Sequence, residues 1–283
     1  MKINDFELYR DLLQRNSGLS LPAEKTYLLD SRLTPIARKW GYPTLEAMTL
    51  ALRGIPDSTL VGEVIEAMTA KETSFFRDMT PFITLSERIL PAIIKAKGRR
   101  RELRIWCAGC ATGQEAYSVA MVLKDNELKL KNWNVEIHAT DLSAEALRKA
   151  RTGNYTQFEV QRGLPITYLM KNFDELDDSW RLHDNIRNLV NFEQMNLFDS
   201  FDDIGGFDII FCRNVLGQFD ENTRTKMIDK LAESLNENGY LLFGQDEKPG
   251  TAVTAVQPIE GTDFYGLATG KYDFGTHKTF GIL

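Results

Sequence analysis

Along the first seventy residues, apolar positions recur at helical spacing. Phe6, Tyr9, Leu12 and Leu13 fall on one face of a first helix. Leu28, Leu29, Leu33, Ile36 and Trp40 share a face of a second, with a break or kink expected near Pro35. Thr44 reads as the N-cap of a third helix ending near Gly54, and Ser58 as the N-cap of a fourth running to Met68. The pattern predicts a small helical domain over residues 1–70. Lys25, Arg32, Arg38 and Lys39 either share a positive face of it or lie on ordinary solvated surface.

From about Leu103 the pattern changes. Short apolar runs at Leu103–Cys107, Val135–Thr140, Leu189–Gln194 and Phe207–Cys212 read as strands. Helical stretches at Gln114–Leu123, Ser143–Arg151 and Glu221–Leu235 lie between or after them, and Asn238-Gly239 leads into a further strand, Tyr240–Phe243. Strands separated by helix-length segments predict right-handed βαβ units and a doubly wound, mainly parallel sheet. Phe264-Tyr-Gly and Thr279-Phe-Gly-Ile are candidates for an antiparallel hairpin at its far edge. Between about 154 and 188 the alternation stops. Gly163–Lys171 reads as helix, and Trp180-Arg-Leu and Ile186-Arg-Asn-Leu as short strands, in a segment too long and too patterned for a loop. Residues 71–283 are therefore expected to form one α/β domain carrying an inserted subdomain.

Charge and composition narrow the classes. A net charge of −6 argues against a general nucleic-acid binder. The longest apolar runs are strand-sized, so no membrane insertion is expected. The N-terminus, MKINDFELYRDLL, lacks a signal-peptide profile, and three cysteines make no disulfide framework. A cytoplasmic location follows as the expectation. The basic run Lys95–Arg104 precedes the first sheet strand, which puts it at the N-terminal edge as a solvated connector away from ligand chemistry.

Ligands of open α/β sheets bind beyond the carboxyl ends of the strands. Four pieces of this chain converge there. The stretch IWCAGCATGQEAY has two readings: Cys107 and Cys110 as a redox pair, or Gly109 and Gly113 as a turn letting a ligand approach the backbone and the next helix's amides. Asp141 ends the second strand, where a carboxylate accepts both hydroxyl hydrogens of a ribose or caps the following helix. Asn196 and Leu197 suit an adenine edge and ring face, and Arg213 with Asn214 put a charge and an amide at the ligand edge. At the junction of the two regions, KETSFFRD (Lys71–Asp78) is either a hinge plug or a lid whose Arg77 faces the cleft.

The segments KETSFFRD, WCAGCATGQEAYSVAM, ATDLSAEALRKARTGNY and FDIIFCRNVLGQFDENTR, in this order and spacing, resemble the chemotaxis receptor methyltransferases, the CheR family. The resemblance covers almost the whole chain. It implies a class I S-adenosylmethionine (SAM) methyltransferase fold, Rossmann-like, with a small N-terminal helical domain and an inserted β-subdomain. The implied cofactor is SAM, with S-adenosylhomocysteine as product and no metal. Cofactor contacts carry over to Thr73, Arg77, Glu115, Asp141, Asn196, Leu197, Arg213 and Asn214, beside the glycine turn at Gly109 and Gly113.

The implied reaction is methyl transfer to glutamate side chains of chemoreceptors. A glutamate, with a pKa of about 4.3 in solution, is already the nucleophile at neutral pH and needs no strong base. It needs alignment and a group that holds the carboxylate, for which Arg77 is the first choice. Phe75 or Phe76 either face the sulfonium or pack in the core. The implied partners are a receptor's cytoplasmic helical bundle at the helical domain and a receptor C-terminal peptide at the insertion, met by a monomer.

Three departures stand out. The family commonly has Ile-Tyr-Phe-Asp where this chain has Gly217-Gln218-Phe219-Asp220, Asn where it has Lys71, and Gly-His-Ser-Glu where it has Gly244-Gln245-Asp246-Glu247. They leave open a second reading, a catalytically weak or inactive SAM-binding and receptor-interaction module. A nucleic-acid methyltransferase is opposed by the acidic balance and the lack of an Asn-Pro-Pro-Tyr-like motif.

Overall fold

In a computed structural model of the chain, which describes residues 3–201, 204–272 and 274, four helices come first. They are α1 (Ile3–Ser17), α2 (Tyr27–Lys39), α3 (Leu45–Leu52) and α4 (Ser58–Met68). Their buried faces are the expected ones, with Tyr9 and Leu13 on α1 and Leu29 and Leu33 on α2. Two details differ from expectation. Helix α2 runs unbroken through Pro35, because Leu29, Leu33 and Ala37 are buried on both sides of the lost hydrogen bond. Helix α4 is capped by Asp57 rather than Ser58, its carboxylate accepting from the Thr59 N–H at 2.7 Å. Of the four cations, Arg32 donates to the Met68 carbonyl at the end of α4, and Lys39 pairs with Glu63.

Helix α5 (Thr80–Thr84) continues through a π-helical turn at Leu85–Ile89 into α6 (Leu90–Lys97). Then the alternation begins with β1 (Glu102–Ala108), α7 (Gln114–Asp125), β2 (Asn134–Asp141) and α8 (Ala144–Thr152). The insertion follows as β3 (Asn154–Thr156), α9 (Gln157–Gln161), α10 (Ile166–Asn172), β4 (Phe173–Leu176), β5 (Ser179–Leu182) and α11 (Asp184–Arg187). Its strands form a separate antiparallel sheet in the order β3-β5-β4. The run from Ile186 was expected to be a strand but is the end of a helical turn, with the Asn188 N–H bonded to the Asp184 carbonyl. Four residues are too few to display a period.

The main sheet is completed by β6 (Val190–Gln194), β7 (Phe207–Cys212), β8 (Leu235–Phe243), β9 (Val256–Pro258) and β10 (Phe264–Leu267), with α12 (Glu221–Glu233) between β7 and β8. Its order is β6-β2-β1-β7-β8-β10-β9. The first five strands pair in parallel, and β10 runs antiparallel to both neighbours. The expected edge hairpin is therefore present, but Phe264-Tyr-Gly pairs with Val256–Pro258. Thr279-Phe-Gly-Ile lies outside the described residues.

Alternation along β1 divides the core. Ile105 faces a cluster with Phe82, Tyr117 and Phe211, under α5 to α7 and the insertion. Trp106 faces a second cluster, which joins Ile210 and Met227 to Tyr9, Leu33 and Met48 of the helical domain. One face of the sheet is thus covered by the N-terminal helices. The basic run lies at the N-terminal edge as expected but is not simply solvated. Lys97 pairs with Asp208, and Arg104 bonds Glu136 at 2.9 Å and lies over the Phe207 ring.

Candidate active site

The turn after β1 forms from residues that tolerate positive φ. Gly109 (+74°) and Gly113 (+92°) flank Ala111, itself at +48°. The N–H groups of Gly109 and Cys110 donate to the Thr140 carbonyl at 2.8 and 2.9 Å, which pins the turn to the end of β2. There Asp141 accepts from the Ala111 N–H through one oxygen and from the Ser143 N–H through the other, both at 2.8 Å. Burial pushes its carboxyl above the usual aspartate value, and these two bonds oppose the rise.

Beyond these strand ends opens a cleft. Its walls come from the chain after α1 (Ser17, Leu19), the linker from Thr69 to Arg77, the glycine turn with Glu115, the end of β2, the segment Met195–Leu197, and Arg213 to Phe219. Thr73, Arg77, Gly109, Glu115, Asp141, Asn196, Leu197, Arg213 and Asn214 all line it. Gly113 does not. A Cβ there would stand 2.9 Å from the Ala150 Cβ and 3.3 Å from the Tyr155 hydroxyl, so this glycine serves the packing of α7 against α8.

At one end of the cleft lies a buried ion-pair network. Arg213 Nη1 donates to Glu115 Oε2 at 3.0 Å, and Nη2 donates to Asp78 Oδ2 at 2.5 Å and the Arg77 carbonyl at 3.1 Å. The Arg213 side chain is 2% exposed, and its Nε has no hydrogen-bond partner among the described residues. Burial raises the Glu115 carboxyl, opposed first by Arg213 and then by Arg77. Arg77 itself lines the cleft, and its guanidinium makes no hydrogen bond or ion pair among the described residues. At the other end, Asn196 Nδ2 donates to the Asn16 carbonyl at 2.7 Å, and its Oδ1 accepts from the Phe198 N–H. This amide ties α1 to the loop after β6.

The linker is anchored rather than loose. Phe75 packs edge-on to Tyr155 at 4.9 Å, and Phe76 lies against Tyr168 at 4.5 Å. Both are buried, and neither lines the cleft, so the sulfonium-facing reading falls to the packing one. Lys71 pairs with Glu145 at 2.6 Å and does not line the cleft. Cys107, Cys110 and Cys212 are free and buried, and burial pushes their thiols well up. A redox pair needs a lowered value, so the glycine-turn reading stands. The described residues hold no cluster suited to a metal ion.

One residue escaped sequence reasoning as a site organiser. Glu247, buried after β8, accepts from the N–H groups of Asn214 at 2.5 Å, Gly217 at 2.7 Å and Gly244 at 3.0 Å. It fixes the loop that carries Arg213, Asn214 and Gln218 into the cleft. The strand-end rule applied to β8 would have found it.

These groups fit the parts of SAM: carboxylates for its ammonium and ribose, a buried arginine, Arg213, with an unsatisfied Nε for its carboxylate, and apolar walls at Leu197 and Leu142 for its base. A glycine turn after β1 and a buried acid after β2, at the ligand edge of a doubly wound sheet, define a SAM-dependent methyltransferase of the Rossmann-like class. Residues 71–264 match the family model described as CheR methyltransferase, SAM binding domain, and residues 4–69 match CheR methyltransferase, all-alpha domain. The chain belongs to the CheR methyltransferase family, and its cofactor is SAM.

Similar proteins include chemotaxis protein methyltransferase 1 of Pseudomonas aeruginosa, 38% identical over 86% of this chain and 89% of that protein. The chemotaxis protein methyltransferase of Borreliella burgdorferi is 33% identical over 83% and 85%. Among solved structures, the glycopeptide N-methyltransferase MtfA complexed with SAM aligns with a TM-score of 0.32 and 15% identity, covering 50% of this chain and 46% of that one.

Proposed function

We propose that this enzyme methylates glutamate side chains of chemoreceptors, as a monomer in the cytoplasm. The observation that carries the reading is Arg77, whose guanidinium lines the cleft beside Glu115 and makes no hydrogen bond or ion pair among the described residues. No helix among the described residues is long and apolar enough to cross a membrane.

Asp141 would hold the ribose hydroxyls, Glu115 the ammonium, and Thr73 with Arg213 the carboxylate end of SAM. Asn196, Leu197 and Asn214 would shape the adenine end and the turn of the cleft, with Gly109 admitting the ligand beside the backbone. When bound, SAM supplies a methyl group activated on a sulfonium, the C–S electron pair returning to sulfur as the new C–O bond forms. Arg77 holds the substrate carboxylate in line, and because the glutamate arrives ionised, no side chain of this protein removes a proton. Residues 1–70 would face the receptor's helical bundle, and the insertion at 154–188 would accept a receptor tail peptide.

Incubation with methyl-labelled SAM and receptor-bearing membranes tests the proposal. Base-labile label on the receptor above the no-enzyme control is the expected outcome. SAM binding without such label would favour the second reading, a receptor-interaction module of low turnover, for which Gln218 and Lys71 are the grounds.

A further inference from the structure

Gln218 stands where three segments meet at the edge of the cleft. Its Oε1 accepts from the Ala70 N–H of the linker at 3.2 Å, and its backbone carbonyl accepts from the Ser20 N–H at 2.8 Å. Beside it, Leu19 and Phe219 form an isolated β-bridge. Backbone and side chain are therefore both fixed. Only an oxygen can accept the Ala70 N–H, so the orientation of the amide is settled by chemistry. The nitrogen Nε2 lies on the other branch, with no acceptor among the described residues, and the residue lines the same cleft as Arg77 and Arg213.

We propose that Gln218 Nε2 donates a hydrogen bond to the methyl-accepting carboxylate, sharing with Arg77 the task of orienting it. The inference rests on the functional reading above and adds a specificity-determining residue to it. A carboxylate loses charge as it becomes an ester, so a group that grips that charge strongly favours the substrate over the transition state. A second cation would do this more than a neutral amide. A neutral donor, held from behind by Ala70, fixes the direction of one oxygen while leaving the other nucleophilic. Its contribution falls on receptor binding and alignment, and cofactor binding is spared.

The test uses the full chain, receptor-bearing membranes and two variants. Gln218→Glu keeps an oxygen for the Ala70 N–H and replaces the donor by a like charge. Gln218→Leu removes both. Gln218→Glu is expected to raise the receptor KM about tenfold or more, since like charges brought together cost several kcal/mol. Co-sedimentation of the variant with receptor membranes, in the presence of S-adenosylhomocysteine, should weaken in step. Gln218→Leu should weaken both readouts less, having no repulsion. The SAM Kd, which also reports folding of each variant, should stay within about twofold, well under the 1.4 kcal/mol of a tenfold change. Unchanged receptor KM and co-sedimentation in Gln218→Glu, or a parallel loss of SAM affinity, would overturn the proposal. Absence of label with the unaltered protein would instead sink the functional reading, and co-sedimentation would still decide the role of Gln218.

Discussion

Asp141 and Glu115 carry opposite demands. Burial raises both carboxyls, so their protonated forms suit the folded, ligand-free protein, and that contribution to stability is lost as pH rises through the raised values. In the proposed placement, the ammonium and ribose of SAM require the ionised forms. Cofactor affinity, measured by titration calorimetry, should therefore fall as pH is lowered, and begin to fall above the range near 4 where ordinary carboxylates titrate. Asp141→Asn keeps the size, removes the charge and leaves one oxygen to accept from either the Ala111 or the Ser143 N–H; the loss of charged hydrogen bonds, about 1.5–3 kcal/mol, predicts SAM binding weakened about tenfold to a hundredfold. The buried thiols yield a third expectation. Labelling of Cys107, Cys110 and Cys212 by a thiol reagent should be slow in the native protein and fast after denaturation, with methyl transfer surviving replacement of the first two by Ala.

Gly113 shows how an element imposes a residue type without involving it in chemistry. Gly113→Ala sets a Cβ at positive φ and close to Ala150, so a loss of about 1–3 kcal/mol in urea unfolding is expected, with SAM affinity of the folded fraction retained. The sequence could not separate this glycine from Gly109, because both sit in one turn and only the neighbouring helix tells them apart. Periodicity predicted the alternating strands and helices well, since each long element buries one regular face. It failed at Pro35, where packing on either side outweighs a broken hydrogen bond, and at Ile186, where too few residues remain to show a period. Gly109, Asp141, Asn196, Leu197, Arg213 and Asn214 were legible because strand ends are where an α/β sheet collects its ligands, Arg77 because it lies in the junction segment, and Thr73 and Glu115 only through the family resemblance. The partners of Glu247 are backbone amides, which leave no trace in side-chain identity, so only its place after β8 pointed to it.

At the scale of the molecule, the helical domain is part of the sheet's own core. Tyr9, Leu33 and Met48 belong to the cluster that contains Trp106 and Ile210, and Glu66 of α4 accepts from the Ser143 hydroxyl and the Glu145 N–H at the start of α8. A fragment lacking residues 1–69 should expose that face and lose the Ser17 and Leu19 wall of the cleft. It is expected to aggregate or to melt at lower temperature than the whole chain, and the whole chain to unfold in one calorimetric transition. A cleft walled by both halves has a thermodynamic corollary. A partner that grips the N-terminal helices more tightly in one arrangement of the walls than in another must alter the grip on SAM, and the bound cofactor must alter the grip on that partner by the same factor.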